Sequence, residues 1–170
     1  MARFLSCFLV IVALGLAQSK PDFTGSWRLD TDKSDDGEAL ILAGSGDPDR
    51  MNPKDRQTVE RLIALARAFR GLEIRQGESD FRLYDDANNV RIYYIDGKKH
   101  LRETPWGEKL ETETQWEGSE LHMKTDGKDL GEVLEIYAPE SGQLVYTVKI
   151  RLKDAEEDTV VRSYYRRAQE

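Results

Sequence analysis

His100 and His122 are the only histidines in the chain, and its single cysteine, Cys7, lies within the first ten residues. A metal centre normally needs three or four well-placed ligands, and no His-Glu-x-x-His spacing occurs, so both histidines read as solvated strand residues. Ser119 has no acid–base partner near it in sequence, and neither a Gly-x-Ser-x-Gly elbow nor a phosphate-binding loop is found. Glu103, Glu108, Glu111 and Glu113 alternate with other residues, which is the pattern of a strand's water-facing side. No enzyme class follows from these residues, and no metal or cofactor is expected.

The framework that must carry them is a chain of 170 residues, 39% hydrophobic and 34% charged, with a net charge of −7. That is the composition of one foldable globular domain. Met1-Ala2-Arg3, the apolar run Phe4 to Leu16 and the small residues before Gln18 read as a secretory signal peptide over residues 1–17. The apolar run is too short to span a bilayer, which takes about 20 residues. The mature chain, 18–170, is then a single secreted or periplasmic domain with no stable membrane insertion. Loss of Arg3 leaves 24 basic residues against 32 acidic ones, a net −8. Such a surface repels nucleic acid and anionic headgroups, which need basic patches. With Cys7 removed, no disulfide is possible and burial alone must stabilise the fold.

From residue 72 onward, turn signals recur about every ten residues, the rhythm of strands linked by hairpins. They include Asp96-Gly97, Glu117-Gly118, Asp126-Gly127 and Ser141-Gly142. Between them apolar residues alternate, as in Val90-Ile92-Tyr94, Leu110-Thr112-Thr114-Trp116 and Leu144-Tyr146-Val148-Ile150-Leu152. About ten strands result by this alternation criterion. An open meander would leave two bare edges, whereas an up-and-down antiparallel barrel joins first strand to last. A two-sheet sandwich would need Greek-key crossings for which the short loops leave little chain.

One segment, about 38–71, breaks the rhythm between the first two strands. Asn52-Pro53 supplies a helix cap and a first-turn proline, and Val59, Leu62, Ile63, Ala66 and Phe69 form a helical stripe ending before Gly71. A helix over 53–70 is expected, preceded by a short helical piece at Glu38–Ala43. This insertion reads as a plug packed on the barrel end, as a lid over a ligand cavity, or as both.

Phe23-Thr24-Gly25-Ser26-Trp27 resembles the Gly-x-Trp signature of lipocalins and related calycins, and Val161-Arg162-Ser163-Tyr164 resembles the closing strand of fatty-acid-binding proteins. The whole is similar to secreted bacterial lipocalin-like proteins. The resemblance implies an all-β, ten-stranded, lipocalin-like barrel whose helices lie between its first two strands. It implies that Trp27 closes one barrel end beneath an arginine, Arg162 or Arg166. It further implies that Arg162 and Tyr164 point inward to hold a carboxylate, with Arg151 or Arg91 as a second interior arginine. Related haem-binding barrels use a histidine, a role that would fall to His100 or His122.

The expected function is binding of a small hydrophobic or amphipathic molecule, such as a fatty acid, in the barrel interior. Arg162, Tyr164, Tyr94, Tyr137, Tyr146 and Met123 would line it, with Leu83, Ile92, Leu110 and Val148. The helix would present Val59, Leu62 and Phe69. The alternative is a barrel packed solid by these same residues, serving as a structural or interaction module of the cell envelope.

Overall fold

A computed structural model of the chain describes residues 20–45, 47–87, 89–104, 106–127, 131–151 and 157–168. The expected signal peptide over 1–17, with Cys7, lies outside them, as does Leu152. The elements run β1 (Gly25–Leu29), α1 (Gly37–Ser45), a short 3₁₀ turn (Pro48–Arg50), α2 (Pro53–Ala66), β2 (Gly71–Gln76), β3 (Asp80–Asp85), β4 (Val90–Tyr94) and β5 (Lys99–Glu103). They continue as β6 (Lys109–Glu117), β7 (Glu120–Asp126), β8 (Glu132–Glu140), β9 (Gln143–Arg151) and β10 (Thr159–Arg167). All ten strands form one antiparallel sheet in the order β4-β3-β2-β1-β10-β9-β8-β7-β6-β5. First and last strands therefore pair, and the sheet curls into a nearly closed barrel whose one seam lies between β4 and β5.

The closure sits on Trp27, which stands opposite Arg167 in the β1–β10 register. The indole is buried, donates its N–H to the Phe23 carbonyl at 2.8 Å, and carries the Arg167 guanidinium 4.8 Å above its ring. The arginine over the tryptophan is thus Arg167, not the expected Arg162 or Arg166. β1 is short, so the 30–36 loop takes up the rest of β10's free edge. Asp30 and Asp35 donate backbone N–H groups to the carbonyls of Tyr164 and Arg162, and the N–H groups of those two residues reach Ser34 Oγ and Asp35 Oδ2.

The helix starts where the sequence places it. The Asn52 side chain accepts from the Asp55 N–H at 2.9 Å, and Pro53 follows at the first helical position. It ends at Ala66 rather than at 70. Tertiary hydrogen bonds draw the chain into an extended path there: the Phe69 N–H donates to the Tyr165 hydroxyl, the Arg70 N–H to Asp86, and the Arg70 carbonyl accepts from Leu29. Val59, Leu62, Leu65 and Ala66 are the buried face of α2. At Gly37, where α1 crosses α2, a Cβ would stand 2.8 Å from the Ala66 carbonyl, so only glycine permits this approach.

The phase of two strands differs from expectation. On β10, Val161, Ser163 and Tyr165 are buried, while Arg162 is exposed and Tyr164 half-exposed on the outer side. The opposite phase would have placed Arg162 and Arg166 together in the core, which costs far more than burying Val161 and Tyr165 gains. On β4, Arg91 and Tyr93 turn inward and Val90, Ile92 and Tyr94 are exposed. The register with β3 requires this, because Phe81 opposes Tyr93 and Leu83 opposes Arg91, and both Phe81 and Leu83 are buried.

Candidate functional site

Six strands send polar side chains into the barrel at one level. From β4 come Arg91 and Tyr93, from β5 Arg102, from β6 and β7 Thr112 and Thr125, from β8 Glu135 and from β9 Tyr146. Arg102 and Glu135, only 8% and 2% exposed, form an ion pair with Nη2 to Oε2 at 3.0 Å. Arg102 also donates Nη1 to the Tyr93 hydroxyl at 3.2 Å, Nη2 to Thr125 Oγ1 and Nε to Thr112 Oγ1, both at 3.4 Å. The other Glu135 oxygen accepts the Tyr146 hydroxyl at 2.8 Å. Arg102, Glu135, Tyr93, Thr112, Thr125 and Tyr146 thereby all have partners, as a buried polar network requires.

Burial works against the charge of Arg102, but Glu135 together with Tyr93, Tyr146 and Tyr137 outweighs it, so the guanidinium pKa is raised and Arg102 stays charged. Burial pushes the phenols of Tyr93, Tyr137 and Tyr146 upward, so they remain neutral donors. Arg91 is half-buried beside this cluster, its guanidinium 4.5 Å from the Phe69 ring centre. Burial opposes its charge too, and Tyr93, Glu135, Tyr146 and Tyr137 together more than compensate, so its pKa is raised. Among the described residues Arg91 has no ion pair. Two arginines and one glutamate leave the cluster with a formal charge of +1.

Arg91 also opens onto solvent. It forms part of a half-open cleft of about 560 Å³ at the β4–β5 seam, with Phe69, Arg67 and Ala64 from the α2 end, Asp85 from β3, Asn89 and Val90 at the start of β4, and Glu103 and Thr104 at the end of β5. The cleft is of the size and place at which barrels take small ligands. The deeper interior is different. Ile74, Phe81, Leu121, Met123 and Leu144 expose none of their surface, and Tyr137 and Tyr146 only 1%. A void wide enough for water beside them would leave accessible surface, so side chains fill this part of the barrel.

The residues expected to line the interior therefore divide. Leu62, Leu83, Leu110, Met123, Tyr137, Tyr146 and Val148 do face inward, but into packed core. Phe69 covers Arg91 at the cleft. Arg162, Tyr164, Tyr94 and Ile92 lie on the outside of the barrel and cannot line its interior; Tyr94 packs instead on His100 with ring centres 4.7 Å apart. His100 is held by Asp96, and His122 by Glu117 and Glu120. No group of three metal-ligating residues occurs among the described residues. The groups that sequence reasoning missed are Tyr93, Arg102 and Glu135; of the two arginines available for a second interior position, Arg91 turns inward, whereas Arg151 is exposed and pairs with Asp158. Arg91 and Tyr93 repeat the two-residue spacing of Arg162 and Tyr164, a signal that was present but stood on a different strand.

A ten-stranded, nearly closed antiparallel barrel with two helices between its first two strands is the fold of fatty-acid-binding proteins. The solved structures it resembles include the REP1-NXSQ fatty acid transporter, 16% identical over 86% of this chain and 96% of that one, with a TM-score of 0.58. Others are the apo lipid binding protein 8 of Caenorhabditis elegans, 18% identical over 86% and 95% with a TM-score of 0.56, and the zebrafish ileal bile acid-binding protein complexed with cholic acid, 20% identical over 86% and 98% with a TM-score of 0.53. At such identities the likeness is one of fold. No protein-family model matches the sequence, and no curated protein does.

Proposed function

We propose that this chain binds a small hydrophobic or amphipathic molecule, with a fatty acid as the representative ligand, in the cleft at the β4–β5 seam. One observation carries the proposal: Arg91 is a half-buried guanidinium with no ion pair among the described residues, at a cleft bordered by apolar Phe69, Val90 and Ala64 and also by the charged Arg67, Asp85 and Glu103. A guanidinium there is poorly solvated and holds a carboxylate in a bidentate fork, while the apolar residues beside it take an alkyl chain. The fatty acid, lipid and bile acid named for the structural neighbours support the same ligand class. The protein acts by binding, not by catalysis.

The proposal includes export. Residues 1–17 are removed as a signal peptide, leaving a secreted or periplasmic protein like the bacterial lipocalin-like proteins its opening resembles; Edman sequencing of the mature protein from its host should begin at Gln18. No helix among the described residues is long and apolar enough to cross a membrane.

The test is uptake of a hydrophobic fluorescent probe and its displacement by a long-chain fatty acid. Saturable displacement that weakens about tenfold in Arg91→Ala is expected, the size of one charge-assisted contact. Absence of saturable uptake favours the second reading, a packed barrel serving as a cell-envelope structural or interaction module. The filled interior beside Met123, Tyr137 and Tyr146 favours that reading.

A further inference from the structure

Arg102 is the deepest cation in the barrel, yet its donors are almost exhausted. A guanidinium has five N–H groups. Four are engaged, by Thr112, Tyr93, Thr125 and Glu135, which leaves a single Nη1 proton and no free edge for a bidentate anion. The Glu135 carboxylate, in turn, holds one oxygen on Arg102 and receives the Tyr146 hydroxyl on the other. A carboxylate between an arginine and a tyrosine hydroxyl, inside a barrel wall, is the arrangement a bound acid would adopt. Here the chain supplies it from β8.

We infer that Glu135 is an internal ligand: it fills a carboxylate site built by Arg102 and Tyr146, bars anionic headgroups from the deep barrel, and confines acid recognition to Arg91 at the seam. The inference deepens the binding reading above and rests on it for the ligand, though not for the state of Arg102. An acid entering as far as Arg102 would meet the Glu135 charge at contact distance in a low-dielectric interior, where like charges repel strongly. A neutral group meets no such barrier. The specificity that follows is positional. An acid head rests at the cleft beside Arg91, and the side chains that fill the interior keep the rest of the ligand there as well.

Glu135→Ala tests this directly, because the atoms deleted beyond Cβ are those of acetate. The variant should be less stable than wild type, and acetate should restore its thermal midpoint saturably while leaving wild type unmoved; chloride at equal ionic strength should not. Glu135→Gln keeps the space filled, so acetate should not stabilise it. It raises the cluster charge by one, and the affinity of the cleft for a long-chain fatty acid relative to the matching primary alcohol should grow by about tenfold. In wild type, Arg91→Gln should abolish the acid-over-alcohol preference; in Glu135→Gln, part of the preference should survive it. The inference is overturned if acetate acts alike on all three proteins, or if Glu135→Gln leaves the acid-over-alcohol ratio unchanged. Should wild type take up neither acid nor alcohol, the binding reading fails by itself, and the acetate experiment still decides the role of Glu135.

Discussion

Leu83 on β3 stands directly opposite Arg91 on β4, and because Leu83 is buried in the core, the arginine beside it is carried into the barrel. A strand whose alternation reads as Val-Ile-Tyr inward is thereby turned over, with its apolar residues left outside. Opposed residues in an antiparallel ladder share a face, so the register of one strand dictates the facing of the next.

This inversion predicts an unusual mutational pattern on β4. Ile92→Lys and Tyr94→Ser should each change stability by no more than about 0.5 kcal/mol, as exposed substitutions do. Tyr93→Ala, which removes a buried ring and the hydroxyl that accepts from Arg102, should cost about 3 kcal/mol or more. Urea unfolding midpoints would measure all three, and a costly Ile92→Lys would contradict the facing.

The Arg102–Glu135 pair predicts strong coupling. Removing one partner strands a buried charge, so Arg102→Met alone should cost about 3–5 kcal/mol. The double variant Arg102→Met/Glu135→Leu should recover a large part of that loss, since a buried ion pair is often replaceable by apolar groups of similar volume. A double-mutant cycle in chemical denaturation measures this; simple additivity of the two single losses would contradict a mutual pair.

On β10, Arg162→Ala should leave both stability and fatty-acid displacement within error of wild type, because the side chain lies outside the barrel. Arg167→Ala removes the cation over Trp27 and the bond to the Thr24 carbonyl, and should lower stability by about 1 kcal/mol. Parallel thermal melts separate the two. A loss of ligand affinity in Arg162→Ala would restore the closing strand as the headgroup site.

Alkaline pH should unfold the protein sharply. Burial raises the pKa of Tyr93, Tyr137, Tyr146 and Tyr165 above the ordinary phenol value of 10.0. A raised folded value favours the protonated form, so the stabilisation is complete below pH 10 and is lost as the unfolded chain ionises above it. Each of the four should then remove up to about 1.4 kcal/mol per pH unit above that point. Absorbance at 295 nm, followed beside circular dichroism, should show these phenols ionising only as the fold is lost.

Much of this architecture was legible from residue order alone. Asn52-Pro53 marks a helix start through local capping chemistry, and turns such as Asp96-Gly97 space the strands through backbone preferences that need no distant partner. The Trp27 segment and the closing strand do pair as their likeness to other barrels implied. What tertiary structure decided was phase. Val160-Val161 and Tyr164-Tyr165 offer an apolar residue to either side of β10, and β4 offers Arg91-Tyr93 against Ile92-Tyr94, so alternation defines two faces without saying which is inner. Pairing with a committed neighbour settles that. Nor could residue order join Arg102 to Glu135, which lie 33 positions apart on strands separated by β6 and β7. Only curvature of the closed sheet brings a cation and an anion from such strands to 3.0 Å, in a place dry enough for the contact to matter.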